Sequence, residues 1–429
     1  MFDIVIRSFT IGLLALLLPG LLQAETFRDG KAESVGMSND RLARIAPAIQ
    51  GYIDRGEIAG AATLIARKGI IIHQDAQGYA DLESERLLQT DSLFRLASQT
   101  KPVTAVAVMI LLEQAKIRLN DPIARYLPEF TDIKVAELNE NGKVVLVAPE
   151  RPMTIKHLLT HTAGMSVGES KEVAEWINHM VQTKTRSPNQ TLAEVVSGYA
   201  QLALGYHPGT HWQYSPAAGF NVLGRLVEVV SGQSLQDFQR EHIFEPLGMK
   251  DTYYYVPLDK LDRYTVAYRR ESDGSISPAE PADGTSRFVK EHRPKVMFPG
   301  AGGLVSTMHD YLRFAQMLMN GGELDAVRIL SPKTVELMTL PHALGIPKIG
   351  GLGARGTAFG LGVNVVVEPA AYGEASSKGT YMWGGAFGTT FWIDPKEQLI
   401  GLYMMQLHRH QPVRVRSDYR ALVYGAFID

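Results

Sequence analysis

The chain reads as an α+β protein: one sheet built from both chain ends, flanked by helices, with a mostly helical region inserted between the two parts. Three observations predict this. Short apolar segments bounded by turn residues stand near the start, at Ala59–Ala66 and Gly69–His73. Similar segments return near the end, at Leu361–Glu368, Thr389–Ile393 and Leu399–Met405. The residues between them carry apolar positions at helical spacing, broken by loops. The expected layout is a sheet region over about 35–95 and 300–429 and a helical region over about 96–299, within one domain from 25 to 429.

Taken in order, Met1–Ala24 reads as a secretory signal. Arg7 precedes the apolar run Ile11–Leu18, Pro19 and Gly20 break it, and Ala24 offers a small residue at the cut. The apolar core is too short for an ordinary transmembrane helix, and the chain has no cysteine to carry a lipid. The expectation is export with cleavage, to the periplasm or beyond, and no stable membrane anchor; an uncleaved anchor is the alternative. Ser38 caps a helix expected over Asp40–Arg55. Arg67-Lys68-Gly69 joins the first two strands, and Gly78–Asp81 forms a third short segment. Phe94 leads into an apolar helical run, Pro102–Lys116. Further helices are expected after Pro152, over Leu192–Ala203 and over Gly219–Ser231. Glu271–Arg293 is polar and proline-bearing and reads as a surface excursion. Asp394-Pro395-Lys396-Glu397 turns the last two strands into a hairpin, and Val413–Phe427 closes the chain as a helix.

Composition excludes several classes of function. Of 429 residues 45% are hydrophobic, enough for a sizeable core, and the formal net charge of −2 comes with no basic stripe for nucleic acid. With no cysteine, thiol catalysis, disulfides and cysteine-held metals are all ruled out. His157 and His161 lie four apart, as metal ligands can, but no His-Glu-x-x-His accompanies them, and packed or capping roles are expected. His207 and His211 lie near the tyrosine motif below, while His408 and His410 read as solvated. No metal and no cofactor are expected.

Three motifs carry chemistry. Ser98-Gln99-Thr100-Lys101 is the only Ser-x-x-Lys in the chain. Residues three apart share a helix face, so the hydroxyl and the amine can touch, and a desolvated lysine can deprotonate a serine. The plain alternative is a capping serine with a solvated lysine. Tyr214-Ser215-Pro216 follows in a loop bounded by Pro and Gly. Beside a buried lysine its phenol can share proton transfer, burial lowering the lysine and a nearby cation lowering the tyrosine. Otherwise it is a packed aromatic. Trp383-Gly384-Gly385-Ala386-Phe387-Gly388 permits close backbone approach, and a main-chain N–H there can join that of Ser98 in an oxyanion hole; a glycine-rich bend is the alternative. Gly164-Met165-Ser166-Val167-Gly168 also matches Gly-x-Ser-x-Gly, but that elbow requires a strand before it, where a helix is expected, so Ser166 is set aside.

These motifs in this order resemble the serine β-lactamase and penicillin-binding-protein superfamily, and most of all its class C β-lactamase-like esterases, the family VIII carboxylesterases. Leu158–Met165, Pro208-Gly209-Thr210, Glu245–Met249 and Gly302–Thr307 fit as well, so the resemblance runs from about Val35 onward. It implies a β-lactamase-like fold with the site in a cleft, Ser98 as nucleophile, Lys101 as proton acceptor and Tyr214 as partner acid/base. It also implies that Ala386 N–H completes the oxyanion hole and that Trp383-Gly384-Gly385 borders the substrate where β-lactamases carry Lys-Thr-Gly. Two departures stand out. Trp383 replaces the lysine that meets a substrate carboxylate, and Pro216 replaces the asparagine of Tyr-x-Asn. Both favour a small neutral carboxylic ester as substrate. The alternatives are a β-lactamase or D,D-peptidase, an acyltransferase, and a non-catalytic wall-binding or regulatory protein on the same fold.

Overall fold

The computed structural model describes residues 27–429 apart from 167, 169, 185–189, 290–295, 350–352 and 409–412. The signal segment expected at Met1–Ala24, and His410, lie outside the described residues. Among them, no helix is long and apolar enough to cross a membrane.

The sheet joins the two ends of the chain. Gly60–Arg67 (β1) and Ile70–Asp81 (β2) form an antiparallel pair. From the other end come Thr357–Phe359 (β3), Asn364–Val366 (β4), Tyr381–Gly384 (β5), Thr390–Asp394 (β6) and Leu399–Met404 (β7). These stand in the order β2-β1-β7-β6-β5-β4-β3, every neighbour antiparallel, with Arg28–Asp29 added in parallel outside β2. The seam is β1 against β7, with Arg67 opposite Leu399 and Met404 opposite Ala62.

The central strands are buried on both faces, which is why they read as continuous apolar runs. Ala62, Leu64 and Ala66 of β1 and Ile400, Leu402 and Met404 of β7 face the larger core. Ala61 and Ile65, with Leu399 and Tyr403, face the smaller one. The smaller core is covered by Ile45–Asp54 (α1) and Val415–Tyr424; the larger by Thr100–Glu113 (α2), Ile155–Leu159 (α3), Leu192–Ala200 (α4), Ala218–Ser231 (α5) and Met308–Met319 (α6). Every residue of α2 from Thr100 to Leu111 is buried, as expected of a helix apolar on all sides.

Several elements differ from the sequence expectation. The first helix is two, Asn39–Leu42 and α1, with Ser38 capping the first through Arg41 N. Pro47 is the cause: a continuous helix would need its missing N–H to reach Ala43 O, whereas the third position of a new helix needs none. Gly78–Asp81 is the far end of β2. Gly78, at φ +77°, lies so close to β1 that a Cβ would sit 2.4 Å from Ala59 O, so the strand bends there without ending. Part of the polar excursion is strand, as Ala267–Arg270 and Ile276–Glu280 form a hairpin joined in parallel by Leu407–His408. Trp383 and Gly384 lie on strand β5 rather than ahead of the late strands. The helical middle holds a further hairpin, Val135–Leu138 with Val144–Val147, and the late sheet portion holds α6 and Pro332–Thr339.

Leu64 is 0% exposed at the centre of the larger core, while Leu258 is 52% exposed. Leu64→Ala is expected to lower unfolding free energy by about 3 kcal/mol through lost transfer energy and a residual cavity. Leu258→Ala is expected to change it by less than about 0.5 kcal/mol. Urea titrations of the three proteins measure both; equal losses would contradict this assignment of the core.

Candidate active site

Ser98 stands in a 3-10 turn, Ala97–Gln99, that feeds α2. Pro102 sets the boundary, because an α-helical turn through Ser98 would need the N–H that proline lacks. The turn is anchored on one side by Phe94–Arg95, which pairs with Val305–Ser306, and by Leu96 N–H donating to Leu304 O. On the other side Leu304 N–H donates to Thr100 Oγ1 at 3.1 Å. The Gly302–Thr307 segment is therefore the wall against which the turn is shaped.

Lys101 is 0% exposed beneath a half-buried Ser98. Its Nζ lies 3.1 Å from Ser98 Oγ and donates to Pro216 O and Ala301 O, each at 2.8 Å. None of these three neighbours is charged. Burial accordingly pushes the Lys101 amine well below the ordinary lysine range. A neutral amine has two N–H donors and one lone pair. The two carbonyls take the donors, and the lone pair is left for the Ser98 hydroxyl proton.

Tyr214 Oη donates to the same Ser98 Oγ at 2.7 Å. Burial pushes this phenol up to about 12, with Ser98 and the Trp383 indole acting weakly the other way. The expected lowering of the tyrosine by a cation is thus overturned. Burial favours the neutral form of the lysine beside it, so the phenol gains little from a cation there. Ser98 Oγ receives a hydrogen bond from Tyr214 and offers its own proton to Lys101.

The strand end at Trp383–Gly388 meets the turn that carries Ser98. A Cβ on Gly385 would sit 2.2 Å from Leu96 O, so only glycine permits this approach. Thr389 Oγ1 donates to Leu96 O at 3.3 Å, and Gly385 N–H to Thr389 O at 2.8 Å. Ala386, exposed at the following turn, is brought beside the segment that carries Ser98. Trp383 is half-buried in an aromatic cluster, 5.3 Å from Tyr214 and 4.9 Å from Phe359 between ring centres. Trp212, Ala343 and Ile346 complete the cluster. The nearby Lys348 turns its Nζ to Ala354 O and Thr357 O, over the Trp212 ring.

Ser166 lies apart from this machinery. It follows α3 rather than a strand, and its Oγ donates to Gln213 Oε1, an amide that cannot act as a base. His157 closes a capping box with Thr154, and His161 is buried beside Tyr214. His207 pairs with Glu137 and receives Glu150 N–H, while His211 packs on Tyr206. His408 is exposed, its ring tilted against that of Phe387. No group of three or more acidic, histidine or cysteine side chains is placed to hold a metal among the described residues. Sequence reasoning missed the carbonyls of Pro216 and Ala301, which no residue type can announce, and the convergence of Trp212 and Phe359 on Trp383, which are 171 and 24 residues away along the chain.

Residues 45–425 match the Beta-lactamase family. The chain belongs to that family. It is 34% identical to Protein Rv1367c of Mycobacterium tuberculosis, over 87% of this chain and 97% of that protein. It is 32% identical to Esterase EstB of Burkholderia gladioli, over 82% of this chain and 86% of EstB. The solved structure of EstCE1, described as a hydrolase with promiscuous acyltransferase activity, superposes with a TM-score of 0.74 at 29% identity. That match covers 90% of this chain and 99% of EstCE1. The chain is a serine carboxylesterase of the β-lactamase-like superfamily.

The lowered pKa of Lys101 has a thermodynamic signature. Its folded pKa lies below the unfolded value of about 10.4, so at lower pH the unfolded chain binds the extra proton. That contribution makes stability rise with pH toward about 10.4 and fall as pH drops. Lys101→Met removes it. The urea midpoint of the variant is expected to rise less steeply than that of the parent between about pH 7 and 9.5. Equal slopes would mean that Lys101 is protonated in the folded protein.

Proposed function

We propose that this enzyme cleaves small, uncharged carboxylic esters through an acyl-enzyme on Ser98. The observation that carries the reading is the shared contact at Ser98 Oγ: a buried amine with no charged partner on one side, a protonated phenol on the other. Lys101 takes the Ser98 proton as Oγ attacks the ester carbonyl. The N–H groups of Ser98 and Ala386 hold the developing oxyanion. Tyr214 gives its proton to the leaving alcohol, and the proton on Lys101 restores the phenol as the pair resets. Deacylation runs the same path in reverse, with water in place of the alcohol.

Substrate choice rests on Trp383. Its aromatic surroundings suit an apolar acyl or alcohol group. A lysine at this position would offer a carboxylate a charge-assisted contact, whereas Lys348 stands over the Trp212 ring with two of its three donors on backbone carbonyls. This favours esters over carboxylated β-lactams or D-alanyl peptides. Delivery of the acyl group to an alcohol rather than water is a second reading, supported by likeness to EstCE1 and by the apolar character of the cluster.

Ser98→Ala is expected to abolish hydrolysis of p-nitrophenyl esters and labelling by a fluorophosphonate, with the fold retained. Ser166→Ala is expected to keep most activity. The opposite pattern would return the nucleophile to the Gly-x-Ser-x-Gly segment. Trp383→Lys is expected to narrow the preference for p-nitrophenyl esters over nitrocefin, mainly by weakening ester turnover, since Pro216 still supplies no amide. If the parent hydrolyses nitrocefin as fast as a short ester, Trp383 is not the discriminating residue.

A further inference from the structure

His161 takes no part in the mechanism above, yet it touches the catalytic tyrosine from three directions. Its carbonyl accepts the N–H of Gln213 at 3.1 Å, the residue before Tyr214. Its ring Nδ1 accepts the N–H of Ser215 at 3.3 Å, the residue after it. Its ring edge packs against the Tyr214 ring, 4.8 Å between centres. The histidine is itself held firmly. It is 2% exposed, Tyr206 Oη donates to its carbonyl at 3.2 Å, and Phe359 closes on the ring at 4.7 Å. Its backbone lies at φ +58°, a left-handed conformation that side chains other than Asn, Asp and His seldom adopt. That conformation permits the carbonyl and the ring of one residue to serve N–H groups on both sides of the tyrosine.

We propose that His161 is the positioning residue that sets the Tyr214 phenol on Ser98, acting through the two N–H groups that flank the tyrosine. The proposal rests on the reading of Tyr214 as part of the proton-transferring machinery. Two requirements follow from the contacts. The residue at 161 must tolerate positive φ, and the atom at the Nδ1 position must accept a hydrogen bond. Because Nδ1 accepts, the neutral ring carries its hydrogen on Nε2, which has no hydrogen-bond partner among the described residues. An asparagine meets both requirements, since its side-chain oxygen falls where Nδ1 does. A phenylalanine keeps the ring packing and meets neither.

The test is a double-mutant cycle on ester hydrolysis, with thermal midpoints measured alongside. His161→Phe is expected to lower kcat by about a hundredfold with KM nearly unchanged, the scale of losing a placed general acid. His161→Asn is expected to stay within about fivefold of the parent. In a Tyr214→Phe background, His161→Phe is expected to add no further loss, because the group it positions is already gone. Multiplicative losses in that background would overturn the proposal while leaving Tyr214 catalytic. An equal kcat loss in a well-folded His161→Asn protein would overturn it too, and that variant decides the matter if His161→Phe does not fold. Full activity of Tyr214→Phe alone would overturn the catalytic reading of Tyr214 and this proposal with it.

Discussion

The site depends on one amine kept out of water. Lys101 Nζ reaches three segments far apart in sequence: the Ser98 turn, the loop after Tyr214 through Pro216 O, and the strand approach through Ala301 O. An ammonium so deeply buried and without a counter-charge costs several kcal/mol, which favours the neutral amine. The neutral amine in turn requires two acceptors and a hydroxyl at fixed positions. Their placement sets how the tyrosine loop and the Gly302–Thr307 segment close around α2.

The effect of burial extends beyond the lysine. It raises the Tyr214 phenol and holds His161 well below the ordinary histidine range. Ser98, Lys101 and Tyr214 thus sit in surroundings that disfavour charge, beside a wall of Trp212, Phe359 and Trp383. Charge that develops on a carbonyl oxygen is then poorly screened by water, so a few oriented backbone N–H groups count for more than they would at a wet surface.

Much of this was legible in the sequence, for identifiable reasons. The sheet from both ends was readable because β1 and β7 are buried on both faces and therefore apolar at every position. Ser98, Lys101 and Tyr214 were readable because their chemistry requires particular side chains at particular spacings. The strand at Tyr381–Gly384 was obscured by glycines that serve backbone approach rather than strand propensity. Pro216 shows the limit most clearly. As a side chain it marked the loss of an asparagine, whereas in the fold its carbonyl holds the Lys101 amine. His161 was read as a packing residue because neither its left-handed backbone nor its two-sided grip on the tyrosine loop is written in residue type.

The seam between β1 and β7 carries a consequence for how the enzyme comes into being. Tyr419 Oη bonds Leu64 O, 355 residues earlier, and the centre of the sheet has no substitute partner for β1 before β7 arrives. Contacts of such long range are slow to form and come late. At synthesis rates of about 5–20 residues per second, the N-terminal hairpin waits some tens of seconds with an open, apolar edge. The turn that carries Ser98 leans on Thr389 of the same late portion, through Leu96 O. The assembled site is therefore a property of the finished sheet: before the late strands arrive, Ser98, Lys101 and Tyr214 are present in sequence but lack part of the framework that brings them together.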